Sequence, residues 1–422
     1  MNKLIHSPEF LVRHRFDKTA FTRRRTLTFP NLILHGLNLI KGSAQQELDN
    51  TFSQLRPHAF PVRQVTKSAY TQARSKFSHQ AFVEINQQLV EHVYQQPGYR
   101  TWHGFRLCAI DGSQLRLPHE AAIIDTFGLR RGKANQRAVP MALASLYYDV
   151  LNQIVIDAQL CPSDTSERAC IAAHLEQARA GDLILFDRGY PAFWLYALLA
   201  SKQRAFCMRA KTKLDLNIKA FLHSGQRQAM VTFTPNRLAE DACRERDLPV
   251  EPITLRLIRV ALGNQTEVLM TNLLDEQAYP VEDFAALYHQ RWLIEEQYKR
   301  QKQWLQIENF SGKSVEAIRQ DFYAKQVAHN LTAILAMGAQ ALVDDRLLGR
   351  KHPYKVNFAQ ALSGMKNQII HLLRETNILP RILALLERCA QNIEACRPDR
   401  RFMRRVSNLH QNLFFSAYKA CR

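Results

Sequence analysis

One short segment of the chain combines a carboxylate, two cations and a phenol at helical spacing. Its residues are Tyr288, Arg291, Glu295 and Lys302, with offsets of three, seven and fourteen from the tyrosine. At about 100° per residue, these positions return to within about 60° of arc on an α-helix. Arg and Lys bind phosphate and carboxylates bind divalent cations, so the pattern indicates a site for a metal and a polyanion. Taken alone, it also fits a solvated helix face with ion pairs between successive turns.

An apolar stripe beside these residues must hold the charged face in place. Leu287, Ile294, Tyr298 and Leu305 recur at helical spacing. A stripe of this kind buries against a core. We therefore predict one helix through residues 288–302 that packs on the body of the protein and presents its charged face to a substrate.

Two aspartates follow apolar segments further upstream. Asp111 closes the segment FRLCAID and Asp187 closes DLILFD, and each is followed by a short turn-like sequence. We predict that both segments are buried strands that end at the carboxylate. A strand end fixes a side chain firmly and leaves it open to solvent, as a metal ligand requires. Read singly, D-G and D-R-G are also ordinary turn signals.

The order of the predicted elements relates these carboxylates to one another. It runs strand–Asp, a two-strand hairpin, a helix capped by Ser166 and closed by Gly181, strand–Asp, helix, strand and the helix with the glutamate. This is the succession of an RNase H-like α/β fold, a mixed sheet flanked by helices. In that fold the first and fourth strands lie side by side under a late helix. Three carboxylates would then converge and hold two divalent ions, and Mg²⁺ suits such all-oxygen ligands.

These motifs resemble those of the insertion-sequence-4 type of DDE transposase. The resemblance rests on the Y-x2-R-x3-E-x6-K signature of residues 288–302, with the D-G and D-R-G-Y sequences in order upstream, and it covers about residues 100–335. It implies a catalytic, metal-binding triad of Asp111, Asp187 and Glu295, with two Mg²⁺ ions or Mn²⁺ in their place. The side chains implied to bind DNA phosphates are Tyr288, Arg291 and Lys302. Glu296 is a rival for Glu295, but it lies about 100° further round the helix and off the charged face.

The resemblance implies a DNA transposase. Such an enzyme would bind the terminal inverted repeats of an insertion sequence, cut the phosphodiester and join the freed 3′-OH to target DNA, working as a homodimer on double-stranded DNA. Two alternatives stay open. One is a nuclease of the same fold, or a decayed transposase, that binds or cuts DNA without strand transfer. The other is a non-catalytic DNA-binding protein whose carboxylates are structural.

The charge of the chain favours a polyanionic partner. The formal net charge is +19, and both ends are basic. Residues 1–30 and residues 391–422 each carry seven Lys or Arg against two acidic residues. Clustered positive charge of this kind is typical of proteins that bind nucleic acid.

The remaining composition favours an intracellular protein. Its eight cysteines form no C-x-x-C pair, and several lie in apolar segments, so we predict reduced thiols. The N-terminus lacks the apolar segment of a signal peptide, and no apolar stretch approaches the ~20 residues of a membrane span. From the composition we expect a soluble, intracellular protein without membrane association, and the resemblance implies a bacterial protein of the cytoplasm that associates with the nucleoid.

The chain divides by composition into three predicted parts. Residues 1–100 form a helical DNA-binding region and residues 101–335 the RNase H-like catalytic domain. A β-rich insertion at residues 210–278 interrupts that domain. Residues 336–422 form a helical, basic C-terminal region.

Several other side chains are weaker candidates. Some members of the resembled family stack a flipped base on a Trp of the insertion, but residues 210–278 contain no Trp, which leaves Phe221 and Phe233. Trp292 either packs under DNA or packs its helix on the core. His174 either faces the site or is an ordinary core or surface histidine. No P-loop, dinucleotide-binding glycine pattern or Ser-His-Asp grouping is legible in the sequence.

Overall fold

The structure is a computed structural model that describes residues 1–397, apart from residue 24 and residues 56–62, 131–137, 212–214 and 263–264. Most of the basic C-terminal segment predicted at residues 391–422 therefore lies outside the described residues. Each described cysteine is a free thiol. None of the described helices combines the length and the apolar character needed to cross a membrane.

Helices make up most of the N-terminal region. Their bounds are α1 (Asn2–Ile5), α2 (Pro8–His14), α3 (Phe29–Leu37), α4 (Ala44–Leu55), α5 (Lys67–Arg74) and α6 (Gln80–Gln95). Ser7, Thr28 and Thr66 cap α2, α3 and α5, each accepting a hydrogen bond from the backbone N–H three residues later. These caps satisfy N–H groups that have no partner inside the helix. The predicted helical character of this region is confirmed.

A mixed sheet forms the middle of the molecule. Its first strands are β1 (Arg106–Arg116), β2 (Leu129–Arg130), β3 (Val139–Asp149), β4 (Ile154–Pro162), β5 (Asp182–Phe186) and β6 (Ala205–Arg209). The helices between them are α7 (Ala121–Phe127), a 3₁₀ helix (Glu167–Cys170) that leads into α8 (Ile171–Leu175), and α9 (Phe193–Ser201). The helix predicted from Ser166 to Gly181 is therefore shorter than expected, and the Ser166 side chain makes no capping hydrogen bond.

The strand order confirms the predicted fold class. β4, β3, β1, β5 and β6 lie in that order across the sheet. β5 is parallel to β1 and β6, whereas β3 is antiparallel to β1 and β4. Because β2 is a two-residue edge strand, β1 and β5 are the first and fourth of the predicted strands, and they are neighbours. This is the order of an RNase H-like α/β fold.

The predicted insertion continues the same sheet. Its elements are α10 (Leu216–His223), β7 (Gln228–Phe233), α11 (Arg237–Arg244), β8 (Ile253–Leu262) and β9 (Gln265–Thr271). The three strands are antiparallel to one another, and β9 pairs with β6 through Cys207 opposite Thr271. The insertion is rich in β-structure as predicted, and it lengthens the sheet beyond β6.

The rest of the described chain is helical, as predicted. Its helices are α12 (Asp283–His289), α13 (Trp292–Gln303), α14 (Val315–Arg346), α15 (Phe358–Met365), α16 (Gln368–Leu372) and α17 (Leu379–Gln391). A small antiparallel ribbon lies among them, formed by β10 (Tyr354–Val356) and β11 (Ile393–Ala395).

One apolar core joins the two ends of the chain. Phe82 of α6, Ala324 of α14 and Leu362 of α15 belong to the same buried cluster. The boundary predicted at residues 335/336 falls inside α14, which serves both the catalytic region and this helical core. How the chain divides into independently folding domains stays a prediction.

A buried arginine fastens the N-terminal region to α14. The Arg74 guanidinium donates to the Asp321 carboxylate at 3.0 Å, to the Gln320 side chain at 2.9 Å and to Ser311 at 2.7 Å. Arg74 and Asp321 are both buried. Removing one partner of such a pair leaves an uncompensated buried charge.

We therefore expect Arg74→Met to lower the free energy of unfolding by about 3–5 kcal/mol, as measured by urea denaturation. The matched control is Arg63→Met, because Arg63 is exposed and stands 3.8 Å from Asp49. An exposed pair of this kind contributes at most about 1 kcal/mol. Equal stability of the two variants would contradict the role given to Arg74.

Candidate active site

The pairing of β1 with β5 brings the two aspartates together. The register runs from Arg106 opposite Asp182 to Ala109 opposite Leu185. Continued by two residues, it sets Asp111 beside Asp187, which follows directly after β5. Alternate residues of a strand point to the same face, so both carboxylates face the side of the sheet that carries Ala109 and Leu185.

The prediction that β1 ends at Asp111 is wrong. β1 continues to Arg116, because Gly112–Arg116 pair with residues 145–141 of the long neighbouring strand β3. Gly112-Ser113 is part of the strand and not a turn. Asp111 is therefore held in mid-strand on its β3 side, while β5 stops at Phe186 and leaves the other side open.

The helix predicted through residues 288–302 is interrupted. Tyr288 lies in α12, whereas Glu295 and Lys302 lie in α13. In the connection, hydrogen bonds join residues three apart, as in a 3₁₀ helix, and not four apart. They run from Arg291 N to Tyr288 O at 3.1 Å and from Ile294 N to Arg291 O at 3.2 Å. The predicted apolar stripe is buried, and its members Leu287, Ile294 and Tyr298 pack under the sheet face that carries the aspartates.

Arg291 links the helix to the carboxylates. Its Nη2 atom lies 2.9 Å from Glu295 Oε1 and 4.0 Å from Asp187 Oδ1. The guanidinium also stands 5.0 Å from the centre of the Trp292 ring. The residue is buried, and its Nε has no hydrogen-bond partner among the described residues. The Arg291 Nε–H group is therefore a buried donor without an acceptor among the described residues.

Two tyrosines and a lysine fix the helices to the strands. The Tyr298 hydroxyl donates to the Asp111 carbonyl at 2.7 Å, and the Tyr288 hydroxyl donates to the Phe186 carbonyl at 3.2 Å. Lys302 Nζ donates to the Gln114 carbonyl at 2.9 Å. The backbone at or next to each aspartate is therefore held by a phenol from α12 or α13.

The electrostatic environment of Asp111 disfavours its charge. Burial raises the pKa of Asp111 to about 7, and the nearby charges of Glu167 and Glu295 act in the same direction. The Gly112 N–H and the Arg291 guanidinium oppose this rise only in part. Crowding of carboxylates in a partly desolvated site is typical of a site that receives cations.

This environment predicts a pH-dependent stability effect in metal-free protein. The pKa of Asp111 is about 7 in the folded protein against an ordinary value of 3.8. The charged carboxylate therefore opposes folding from about pH 4 upward and fully above about pH 7, by up to about 4 kcal/mol at 1.36 kcal/mol per pKa unit. We expect Asp111→Asn to raise the melting temperature in EDTA at pH 8 by about 5 °C and to change it little at pH 4.

Thermal denaturation of both proteins from pH 4 to pH 8 measures this difference. Asp125→Asn is the matched control, since Asp125 is an exposed residue of α7. A gain that does not vary with pH, or a loss at pH 8, would contradict the environment described for Asp111.

Carboxylates are ligands that divalent cations prefer, but these side chains are not gathered around a common point. Within the described chain, no three His, Cys, Asp or Glu side chains stand close enough together to hold a metal ion. Arg291 contacts Glu295 and approaches Asp187, so its positive charge partly neutralises these two carboxylates. Metal binding requires the carboxylates to turn toward one another, and all-oxygen ligands are the set that Mg²⁺ prefers.

The other candidates are placed as follows. Glu296 is exposed and lies 3.9 Å from Arg300. Trp292 is 44% exposed, so it does not pack its helix on the core. Phe221 and Phe233 are buried in a hydrophobic cluster, which removes both as exposed platforms for a base.

The structure also contains a Ser-His-Asp chain that the sequence did not reveal. His174 is fully buried, with Nε2 2.9 Å from Ser145 Oγ and Nδ1 2.7 Å from Asp157 Oδ2. The Ser145 side chain has no exposed surface for a substrate. His174 therefore joins α8 to β3 and β4 and does not face the site.

Sequence reasoning overlooked Glu167. This residue opens the 3₁₀ helix after β4, and its side chain lies against Gly112, next to Asp111. It also lines a cavity of about 570 Å³ together with Gly189 and Tyr190 of the D-R-G-Y sequence. Only the backbone path between β4 and α8 brings it there, so no sequence spacing signals it.

Comparison with known proteins identifies the family. The model of the transposase DDE domain matches residues 102–331, more than half of the chain. The chain belongs to this DDE transposase family. Transposases of this family cleave DNA, so DNA is a partner of the protein, and the resemblance to the insertion-sequence-4 type is confirmed.

Individual relatives are distant. The transposase InsG of insertion sequence element IS4 from Escherichia coli K12 is 22% identical over 331 residues, which cover 77% of this chain and 73% of that protein. Among solved structures, a piggyBac transposase synaptic complex with hairpin DNA aligns over 92% of this chain and 84% of the other. Its TM-score is 0.44 at 9% identity, a level that establishes nothing about fold or function.

Proposed function

We propose that this protein is a cut-and-paste transposase. It binds the terminal inverted repeats of an insertion sequence, cleaves DNA at those ends and joins the 3′-OH ends to target DNA. The observation that carries the proposal is the β1–β5 register, which ends two residues before Asp111 and Asp187 and, if continued, would bring them together on the sheet face covered by the Glu295 helix. Rigid strands are suitable carriers for carboxylates that must meet within a fraction of an ångström.

Asp111, Asp187 and Glu295 are the proposed ligands of two Mg²⁺ ions, for which Mn²⁺ can substitute. When bound, such ions activate an attacking oxygen and stabilise the leaving oxygen of a phosphodiester. The tyrosines that hold the backbone at Asp111 and Phe186 keep the two strands at a fixed distance from the helix.

Arg291 and Lys302 are the proposed phosphate ligands. Arg291 has an Nε donor without a partner in the described chain, and Lys302 uses one of its three N–H groups on Gln114. Tyr288, predicted as a third phosphate ligand, is 1% exposed and donates to Phe186. A phosphate would reach its hydroxyl only after that contact opens, so we assign Tyr288 to positioning the strand that leads to Asp187.

The N-terminal region is the proposed reader of the inverted repeats. A cavity of about 700 Å³ in this region carries Arg23, Arg25 and Lys76 on its wall. Contacts from such cations to phosphates give DNA affinity that falls with salt. We further propose a homodimer on DNA, because the two ends of one element must be handled together, and action at the bacterial nucleoid.

The proposal is tested with an oligonucleotide that ends in the terminal repeat and a 3′-OH, a supercoiled plasmid and Mg²⁺. Repeats are taken from the DNA that flanks the coding region. We expect covalently joined oligonucleotide–plasmid products. Cut plasmid without joined product would instead support the nuclease alternative. DNA binding without cleavage in the presence of any divalent cation would support the non-catalytic alternative.

A further inference from the structure

Glu167 approaches the backbone of β1 at the residue that follows Asp111. A Cβ atom built on Gly112 would lie 2.6 Å from Glu167 Cγ and 2.9 Å from Glu167 Oε1. Any side chain at position 112 would therefore force the Glu167 carboxylate to move. The glycine creates the space in which a second carboxylate can stand close to Asp111.

Glu167 approaches from the face of the sheet opposite to α13. The Cβ direction at Gly112 is opposite to that of Asp111, because successive residues of a strand face opposite sides. On the β5 side, however, β1 has no partner beyond this point, since β5 stops at Phe186. Side chains from the two faces can approach each other through this gap, and the negative charge of Glu167 contributes to the raised pKa of Asp111.

Two arginines, Arg130 and Arg168, line the same cavity as Glu167. The neighbouring Arg168 is turned to the Gly189 carbonyl, to which its Nε donates at 3.0 Å and its Nη2 at 2.6 Å. The Tyr190 side chain is 1% exposed, and its hydroxyl has no hydrogen-bond partner in the part of the chain that the structure describes. Asp111 and Glu167 are the acidic groups that act on this hydroxyl, and the Glu167 carboxylate is the acceptor next to it. Two neighbouring carboxylates in a partly buried site repel each other unless a cation enters.

The segment that carries Glu167 is nevertheless held firmly. The two Arg168 hydrogen bonds tie it to the loop after Asp187, and His174 ties the following helix to Ser145 and Asp157. A carboxylate that is held firmly beside Asp111, in space that Gly112 leaves open, is suitably placed to act as a metal ligand.

We propose that Glu167 is a fourth carboxylate of the metal site and shares a divalent ion with Asp111. The inference rests on the proposed metal-dependent function and adds a ligand beyond the three predicted carboxylates. A hydrogen bond from the Tyr190 hydroxyl would hold the Glu167 carboxylate in place when it binds the ion. Gly112 is required because a larger residue would displace that carboxylate.

Electron paramagnetic resonance of free Mn²⁺ tests the inference on the full chain bound to transposon-end DNA. We expect Glu167→Gln to weaken Mn²⁺ binding about tenfold or more. Gly112→Ala should weaken it similarly, and the double variant should be no weaker than Glu167→Gln. Asp164→Asn is the matched control, because Asp164 is an exposed acidic residue of the same cavity, and its Mn²⁺ affinity should stay within about twofold of the wild type.

The outcomes separate this inference from the proposed function. If Asp111→Asn loses Mn²⁺ binding and Glu167→Gln retains it, the fourth carboxylate is refuted and the three-carboxylate site stands. An equal loss in Asp164→Asn would also refute it, because the effect would then reflect only the charge of the cavity. If neither the wild type nor any variant binds Mn²⁺ on DNA, the metal-dependent function fails together with the inference.

Discussion

Asp111→Asn is expected to slow cleavage of transposon-end DNA in Mg²⁺ by about 10³-fold or more, while affinity for the end stays within about twofold. Loss of a metal-binding carboxylate removes several kcal/mol of transition-state stabilisation, and each 1.36 kcal/mol is a factor of ten in rate. Cleavage is measured on end-labelled DNA, and binding by fluorescence anisotropy at fixed salt concentration.

The stability of the same variant makes the result easy to interpret. Asp111→Asn should be at least as stable as the wild type at pH 8 in EDTA, because the amide avoids the cost of a buried charge. Lost cleavage then cannot be attributed to unfolding. Asp125→Asn on α7 serves as the control and should cleave normally. Normal cleavage by Asp111→Asn would defeat the assignment of the catalytic carboxylates.

Glu295→Gln and Glu296→Gln are expected to have opposite outcomes although the two residues are adjacent. Glu295 shares Arg291 with Asp187, whereas Glu296 lies in solvent beside Arg300. We expect cleavage to fall about 10³-fold in Glu295→Gln and to stay within about twofold of the wild type in Glu296→Gln.

This comparison is measured in the same cleavage assay, with DNA affinity determined for each variant. Both substitutions remove one negative charge from the same helix, so a general electrostatic effect on DNA binding would appear in both. The reverse ranking, with Glu296→Gln inactive and Glu295→Gln active, would place the catalytic carboxylate on the other side of α13.

The succession of apolar segments predicted the sheet well. A strand buried on both faces reads as a short continuous apolar segment, and β1, β5 and β6 each have this character. The length of β1 could not be predicted in the same way. Gly112 reads as a turn signal, and only pairing with the long strand β3 keeps residues 112–116 extended.

The charged helix was predicted from its periodicity, and its interruption was not. Residues 290–291 have helical backbone angles, so helical spacing is nearly preserved across the break between α12 and α13. The spacing therefore signalled the correct face without revealing that Tyr288 turns inward to the Phe186 carbonyl. Burial of that phenol depends on the sheet beneath it, and its acceptor Phe186 lies 102 residues away in sequence.

Features that depend on distant contacts were beyond prediction. The core shared by α6, α14 and α15 joins residues more than 200 positions apart, so composition alone divided the chain at residues 335/336. Glu167 and the buried Ser145–His174–Asp157 chain were hidden for the same reason. Their partners are set by how the segment after β4 crosses the sheet.

The most direct test of the proposed function is the position of Mn²⁺ in crystals of the protein bound to transposon-end DNA, located by anomalous scattering. We expect ions bound directly by the carboxylates of Asp111, Asp187 and Glu295 at the open edge between β1 and β5. Mn²⁺ bound elsewhere, with these three carboxylates free of metal on bound DNA, would contradict the proposed active site.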